Sequence, residues 1–233
     1  IAGLIEDSPE HGFRGCSLDV ARRFYSPAQL NRFAAILAWN KLNRLHLHLS
    51  DDEAWRVEID AYPRLAETGG WRGHGLALPP LLGSGPERSG GVYSKDDVRT
   101  LVAGARRWGV EIVPEIDIPG HCYALLQALP ELADPGENGL YFSIQHFPNN
   151  CLNPAVAATY PALETILGEL CDLFPGKWFH VGADEVPSDA WATSPLARDM
   201  RSRVGGDGPA PLQAEFLRRF CYFAKWPASA GIY

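Results

Sequence analysis

The chain has 233 residues, with 21 Lys and Arg against 28 Asp and Glu, and a formal net charge of −7. This length suits one sizeable domain, since a complete α/β barrel typically needs about 250 residues. The acidic balance argues against nucleic acid or an anionic membrane as a partner, and no apolar run approaches the ~20 residues of a membrane span.

Strand-like and helix-like segments alternate along the chain. The clearest helix start is Ser26, followed by Pro27 and by Gln29 at the third position of a capping box. Ser94 is predicted to cap a second helix, which runs through Trp108. Strands that alternate with helices predict a parallel sheet covered by helices. The predicted order is strand 13–20, helix 27–40, strand 44–50, helix 95–108, strand 110–118, a short helix after 120, helix 161–174, strand 178–186, and helices near 188–200 and 211–224, with long connections at 53–93 and 130–157.

Within each predicted strand, apolar and polar residues alternate, which assigns them to opposite faces. In the second strand, for example, Leu45, Leu47 and Leu49 share the apolar face. Barrel enzymes place their sites at the C-terminal ends of the strands, and buried carboxylates are costly unless they are paired. The pattern therefore predicts a carboxylate-lined active site on the polar face, which carries Ser17 and Asp19, His46 and His48, Glu115 and Asp117, and His180 and Asp184 in the four strands.

The candidate site residues follow the predicted strand ends. Asp184 and Glu185 end the fourth strand, Asp51 ends the second, and His121 follows the third. An isolated Asp-Glu pair is usually a solvated loop, but the strand before this pair favours a functional interpretation. An arginine follows the first strand in Asp-Val-Ala-Arg-Arg, where the residue pattern does not distinguish the first arginine of the pair from the second.

Taken in order, these segments resemble the catalytic domain of glycoside hydrolase family 20, the β-N-acetylhexosaminidases. The resemblance implies a (β/α)8 TIM-type barrel, of which residues 1–222 carry about the first four to five β/α units, and a tail at 223–233 that does not match the family. The matching phrases are Arg14-Gly15, Leu18-Asp19-Val20-Ala21-Arg22, Asn40-Lys41-Leu42-Asn43, His46-Leu47-His48-Leu49-Ser50-Asp51-Asp52, Trp55-Arg56, Pro114-Glu115-Ile116-Asp117-Ile118-Pro119-Gly120-His121 and His180-Val181-Gly182-Ala183-Asp184-Glu185.

The resemblance also implies roles for five residues. Glu185 corresponds to the general acid/base, and Asp184 to the carboxylate that orients the 2-acetamido group of the substrate. Arg22 corresponds to the arginine that binds hydroxyls of the terminal sugar. Asp51 and His121 correspond to a polar relay behind the acid. The implied reaction releases terminal β-linked N-acetylhexosamine with retained configuration through a substrate-assisted mechanism.

No cofactor and no metal are expected, and the expected partner is a glycan or chitooligosaccharide that ends in N-acetylhexosamine. The five cysteines are odd in number and scattered, without a Cys-x-x-Cys spacing. They predict free thiols rather than a disulfide framework and favour the cytoplasm. The start at Ile1 leaves an upstream segment and secretion open, and the oligomeric state is not indicated.

Two alternatives stay open at this point. A metal-dependent hydrolase could use His46 and His48, which have metal-ligand spacing, together with His121 and Asp184. The chain could also be an inactive or sugar-binding fragment, because the later strands of the family's barrel have no counterpart in the sequence.

Overall fold

The computed structural model describes residues 3–4, 6–223 and 231–232, with side chains up to residue 220. The strands are β1 (Gly15–Asp19), β2 (Arg44–His48), β3 (Ser50–Asp51), β4 (Ala54–Trp55), β5 (Trp71–Arg72), β6 (Ser89–Gly90), β7 (Glu111–Glu115), β8 (Trp178–Phe179) and β9 (Gly231–Ile232). The helices are α1 (Pro27–Trp39), α2 (Arg64–Glu67), α3 (Lys95–Arg107), α4 (Tyr123–Ala128), α5 (Thr159–Leu173), α6 (Pro195–Val204) and α7 (Ala210–Phe223), with a 3-10 turn at Pro130–Leu132.

The long strands form a parallel sheet in chain order. β1 pairs with β2 and β2 pairs with β7, so that Asp19 lies opposite His48 and His48 opposite Glu115. The next strand joins through a parallel bridge between Glu115 and His180, and β8 pairs in parallel with β9. Five parallel neighbours with helices between them are one side of a (β/α)8 barrel, as the sequence predicts.

The predicted fourth strand is too long. Regular pairing ends near Val181, whose carbonyl accepts the backbone N–H of Ile118 at 3.1 Å. Beyond it the backbone turns sharply, because Gly182, Ala183 and Glu185 adopt positive φ angles of 65°, 74° and 45°. The alternation of strand faces therefore does not extend to Asp184, which the sequence assigned to the polar face of the fourth strand.

The helix predicted near 188–200 starts later. Residues 188–194 form turns, and α6 begins after Ser194, whose hydroxyl accepts the backbone N–H of Ala197 at 3.0 Å. The sequence interpretation overlooked this cap and the proline that follows it. Both other cap predictions are confirmed, since Ser26 and Ser94 each form a capping box at the start of α1 and α3.

The core lies between the outer face of the sheet and the helices. Leu45, Leu47 and Leu49 are at most 1% exposed and pack with Ile112 and Ile116 in the same cluster. At roughly 25 cal/mol per Å² of buried apolar surface, this layer supplies much of the stabilisation. The inner face of the same strands is left to polar side chains.

The connection from 53 to 93 contains two short hairpins and a fully buried arginine. Arg56 donates hydrogen bonds of 2.6–2.9 Å to the backbone carbonyls of Val20, Ala21, Gly70 and Gly91. Burial lowers its pKa to about 10. A buried cation is tolerated when its donors are satisfied, so Arg56 ties this connection to the C-terminal end of β1.

Cys16, Cys122, Cys151 and Cys171 are free thiols, which confirms the prediction for these four; the side chain of Cys221 lies outside the described residues. No helix in the described ranges is both long enough and apolar enough to cross a lipid bilayer. Most of the predicted tail also lies outside the described residues, and the division at residue 222 stays a prediction.

Candidate active site

A chain of ionisable side chains follows the C-terminal ends of β1, β2 and β7. Its centre is Asp51, which is 1% exposed. One carboxylate oxygen lies 2.6 Å from His48 Nε2 and 2.8 Å from Arg22 Nη2, and the other lies 3.1 Å from His121 Nδ1. Burial opposes ionisation of Asp51, but hydrogen bonds with His121 and His48 and the charge of Arg22 hold its pKa well below the usual range.

His121 joins this centre to Glu185. Its Nε2 lies 3.3 Å from Glu185 Oε2, while its Nδ1 faces Asp51. Burial opposes the charge on His121, but hydrogen bonds with Asp51 and Asp52 raise its pKa to about 11. His121 is therefore an imidazolium at neutral pH. The Glu185 carboxylate is about half exposed and faces both the relay and solvent.

The structure separates the two neighbouring arginines. Arg22 contacts Asp19 at 2.9 Å, Asp51 at 2.8 Å and Glu53 at 3.4 Å. Arg23 is exposed, and its guanidinium lies over the ring of Tyr25 at 5.8 Å. Arg22, and not Arg23, therefore lies in the charged network around Asp51.

Asp184 lies on the turn beside Asp117. Asp117 is buried, and its carboxylate accepts the backbone N–H of Ala183 at 3.0 Å. Burial raises the pKa of Asp117 to about 8, and the neighbouring Asp184 charge acts in the same direction. Gly182 is required at this point, because a Cβ there would lie 1.8 Å from the Asp117 carboxylate.

Deeper between the strands, three histidines surround Glu115. Its carboxylate lies 2.7 Å from His46 Nε2, 2.8 Å from His48 Nδ1 and 2.9 Å from His180 Nδ1. Burial opposes ionisation, but hydrogen bonds with His180, His46 and His48 lower the pKa of Glu115 well below its usual range. The predicted sharing of one polar face by these strands is confirmed.

The same side chains supply the metal-ligating sets of the described residues. Donor atoms lie within 4.8 Å of one another in the sets His46–Glu115–His180, His48–Glu115–Asp117 and Asp51–Asp117–His121. However, both ring nitrogens of His48 already face carboxylates, Asp51 and Glu115. His121 lies on the far side of Asp51 rather than beside His46, so the particular metal set that the sequence suggested is not assembled.

Two buried charged residues near Arg22 escaped the sequence interpretation. Glu53 is 1% exposed and Arg72 is 6% exposed, and both lie on short hairpins in the long connection. No periodic pattern marks them, and the one available signal was that Glu53 directly follows Asp51-Asp52. Asp52 lies 3.5 Å from His121 Nδ1 and also accepts hydrogen bonds from the backbone N–H of Tyr123 and from Asn150, both at 3.0 Å.

Parallel strands whose C-terminal ends carry paired carboxylates, an imidazolium and an arginine are the arrangement expected for part of a barrel of the glycoside hydrolase class. The family model "Glycosyl hydrolase family 20, catalytic domain" matches residues 11–226. The chain belongs to this family.

Relatives of known name agree with this assignment. The chain is 40% identical to a beta-hexosaminidase of Vibrio furnissii over 92% of its own length and 35% of that protein. It is 32% identical to a beta-hexosaminidase of Akkermansia muciniphila over 99% of its length and 48% of that protein. The crystal structure of a GH20 exo β-N-acetylglucosaminidase from Vibrio harveyi in complex with N-acetylglucosamine matches with a TM-score of 0.92 and 39% identity, over 97% of this chain and 35% of the other. The chain thus spans about a third to a half of the length of these proteins.

Proposed function

We propose that the protein containing this chain is a β-N-acetylhexosaminidase, which releases terminal β-linked GlcNAc or GalNAc from glycans or chitooligosaccharides. The observation that carries the proposal is the contact of 3.3 Å between Glu185 and His121, backed by Asp51 at 3.1 Å. Family membership and the names of the relatives support the same reaction class.

Glu185 acts as the general acid/base. Its partly exposed carboxyl group protonates the oxygen of the leaving group and later, once ionised, activates the attacking water. The His121 imidazolium at 3.3 Å stabilises the carboxylate that forms after proton donation. Asp51 holds His121 in the charged state, because its carboxylate contacts the other ring nitrogen.

Asp184 assists the attack of the substrate's acetamido group on the anomeric carbon. In a substrate-assisted reaction the acetamido oxygen attacks the anomeric carbon and gives a cyclic cation, so no enzyme nucleophile is needed. Asp184 accepts the acetamido N–H and balances the developing charge. Asp117 holds the turn that carries Asp184 by accepting the backbone N–H of Ala183 at 3.0 Å.

Activity on a chromogenic N-acetylglucosaminide, assayed with the full-length protein, tests the proposal directly. Proton NMR of the early reaction should show the β-anomer of N-acetylhexosamine before mutarotation. Initial release of the α-anomer would exclude the retaining mechanism. The alternative of a sugar-binding fragment applies to residues 1–233 alone, and binding of N-acetylglucosamine by this fragment without turnover would support it.

A further inference from the structure

The Arg22 guanidinium is held on three sides by carboxylates. A guanidinium has five N–H donors, and here Nη1 faces Asp19 at 2.9 Å, Nη2 faces Asp51 at 2.8 Å and Nε faces Glu53 at 3.4 Å. One N–H on each terminal nitrogen remains for a ligand. A guanidinium is planar and rigid, so the direction of those two N–H groups depends on how the other N–H groups are held.

Glu53 is the least expected of the three carboxylates. It lies in the turn between β3 and β4, where Asp51 pairs with Ala54. Its side chain is 1% exposed, and its Oε2 has no hydrogen-bond partner other than the 3.4 Å approach of Arg22 Nε. Burial and the charge of Asp51 raise its pKa to about 8.

Arg72 approaches the same residue from the opposite side. Its Nη2 donates to the backbone carbonyl of Arg22 at 2.9 Å. The side chain is 6% exposed, and its Nε and Nη1 are buried without partners. Within the described part of the chain, no ion pair joins Arg72 to Glu53, and each of the two contacts Arg22.

Unsatisfied buried polar atoms are unfavourable for stability, and native proteins retain few of them. A structural ion pair between Glu53 and Arg72 would have satisfied both residues, but the fold directs each of them to Arg22 instead. We propose that Glu53 and Arg72 are positioning residues for Arg22. Glu53 fixes the rotation of the guanidinium, and Arg72 fixes the backbone from which the side chain extends.

This inference rests on the proposed function, in which Arg22 binds hydroxyls of the terminal sugar. Two N–H groups of a guanidinium can bind the two hydroxyls of a sugar diol together, so a small rotation of the Arg22 guanidinium weakens both hydrogen bonds. Misplacement of a remote sugar also misplaces the reacting centre. Loss of either positioning residue should therefore act through Arg22 and not independently of it.

A double-mutant cycle in the full-length protein tests this dependence. Glu53→Ala and Arg72→Met should each lower kcat/KM on a chromogenic N-acetylglucosaminide about 10-fold, mainly through KM, whereas in an Arg22→Ala background each should cost less than about 2-fold. Glu53→Gln keeps an oxygen facing Arg22 Nε and should stay within about 3-fold of wild type. Glu58→Ala and Arg88→Met, at exposed neighbours outside the site, should have wild-type KM.

Full, additive losses in the Arg22→Ala background would overturn the inference, as would wild-type kinetics of both single variants. A wild-type protein without activity on this substrate would instead refute the proposed function, and the inference with it. Because buried substitutions can prevent folding, a crystal structure of the wild-type protein with N-acetylglucosamine provides a second measurement. Closure of the Arg22 Nε–Glu53 distance to about 3.0 Å or less, a normal hydrogen bond, supports the inference, and separation of the two side chains overturns it.

Discussion

Asp51→Asn removes the charge at the centre of the network. The wild-type carboxylate accepts contacts from Arg22 at 2.8 Å, His48 at 2.6 Å and His121 at 3.1 Å. An amide has one oxygen in place of two charged ones, and its NH2 group would face a donor. Removing one partner of a buried ion pair typically costs about 3–5 kcal/mol, so we expect the free energy of unfolding to fall by roughly that amount near pH 6.

The loss should depend on pH in a defined direction. The pKa values of His48 and His121 are raised to about 10 and about 11, above the ~6.5 of an unfolded chain. Their contribution to stability is therefore complete below pH ~6.5 and is lost as the pH rises through the folded values. The lowered pKa of Asp51 contributes stability above pH ~4, and this contribution is lost on acidification. The difference between wild type and variant should be largest at about pH 4–6.5 and should shrink towards pH 10.

Urea unfolding of the full-length protein at pH 6 and pH 9.5, followed by tryptophan fluorescence, measures both effects. Asp134→Asn is the control: the Asp134 carboxylate accepts hydrogen bonds from the neutral donors Gly136 N at 2.8 Å and Asn153 Nδ2 at 2.7 Å, so its loss should be nearer ~1 kcal/mol. A loss below 1 kcal/mol for Asp51→Asn, or an equal loss at the two pH values, would refute the coupled-charge account.

Three further predictions concern the site and its support. Glu185→Gln should lower turnover by roughly 10²–10⁴, with smaller losses on substrates that have good leaving groups; equal losses on good and poor leaving groups would argue against the acid role. Ala183→Gly should raise the free energy of unfolding by up to ~1 kcal/mol, because a non-glycine residue at φ 74° is strained. Gly182→Ala should be strongly destabilising, because its Cβ would lie 1.8 Å from Asp117. A melting temperature higher for Gly182→Ala than for Ala183→Gly would contradict this. Arg56→Met should cost more than ~3 kcal/mol by leaving the buried carbonyls of Val20, Ala21 and Gly91 without donors, and a melting temperature equal to that of wild type would show that the carbonyls find other partners.

Local pattern was sufficient for much of the fold. Capping boxes depend on residues three apart, so Ser26 and Ser94 were recognisable as helix starts. A period of two placed His46, His48 and Glu115 on one face, and parallel pairing then required that their side chains converge. The ordered motifs also indicated the family and, through it, Arg22, Asp51, His121 and Glu185 as candidate site residues.

Other features depend on contacts that local pattern does not contain. Asp184 and Glu185 are presented by a turn with left-handed backbone at Gly182, Ala183 and Glu185, and the Asp117 carboxylate, 66 residues away from Ala183 in sequence, accepts a hydrogen bond from this turn. The alternation of apolar and polar residues continues in the sequence beyond the last residue that pairs with the neighbouring strand. The predicted strand was therefore too long.

The residue pattern does not distinguish Arg22 from Arg23, and Arg22 was assigned only through the resemblance to the family. Tertiary structure sets the contacts of Arg22 and the burial of Glu53 and Arg72. The sequence of the first strand alone gives the two arginines equal standing, but only the guanidinium of Arg22 reaches the carboxylates of Asp51 and Glu53. A long side chain can contact partners many residues away, and which partners lie within its reach is determined by how the hairpins of a distant connection fold back onto the strand end. The sequence by itself determined which chemical groups this site contains, and the packing of its loops determined which of those groups face one another.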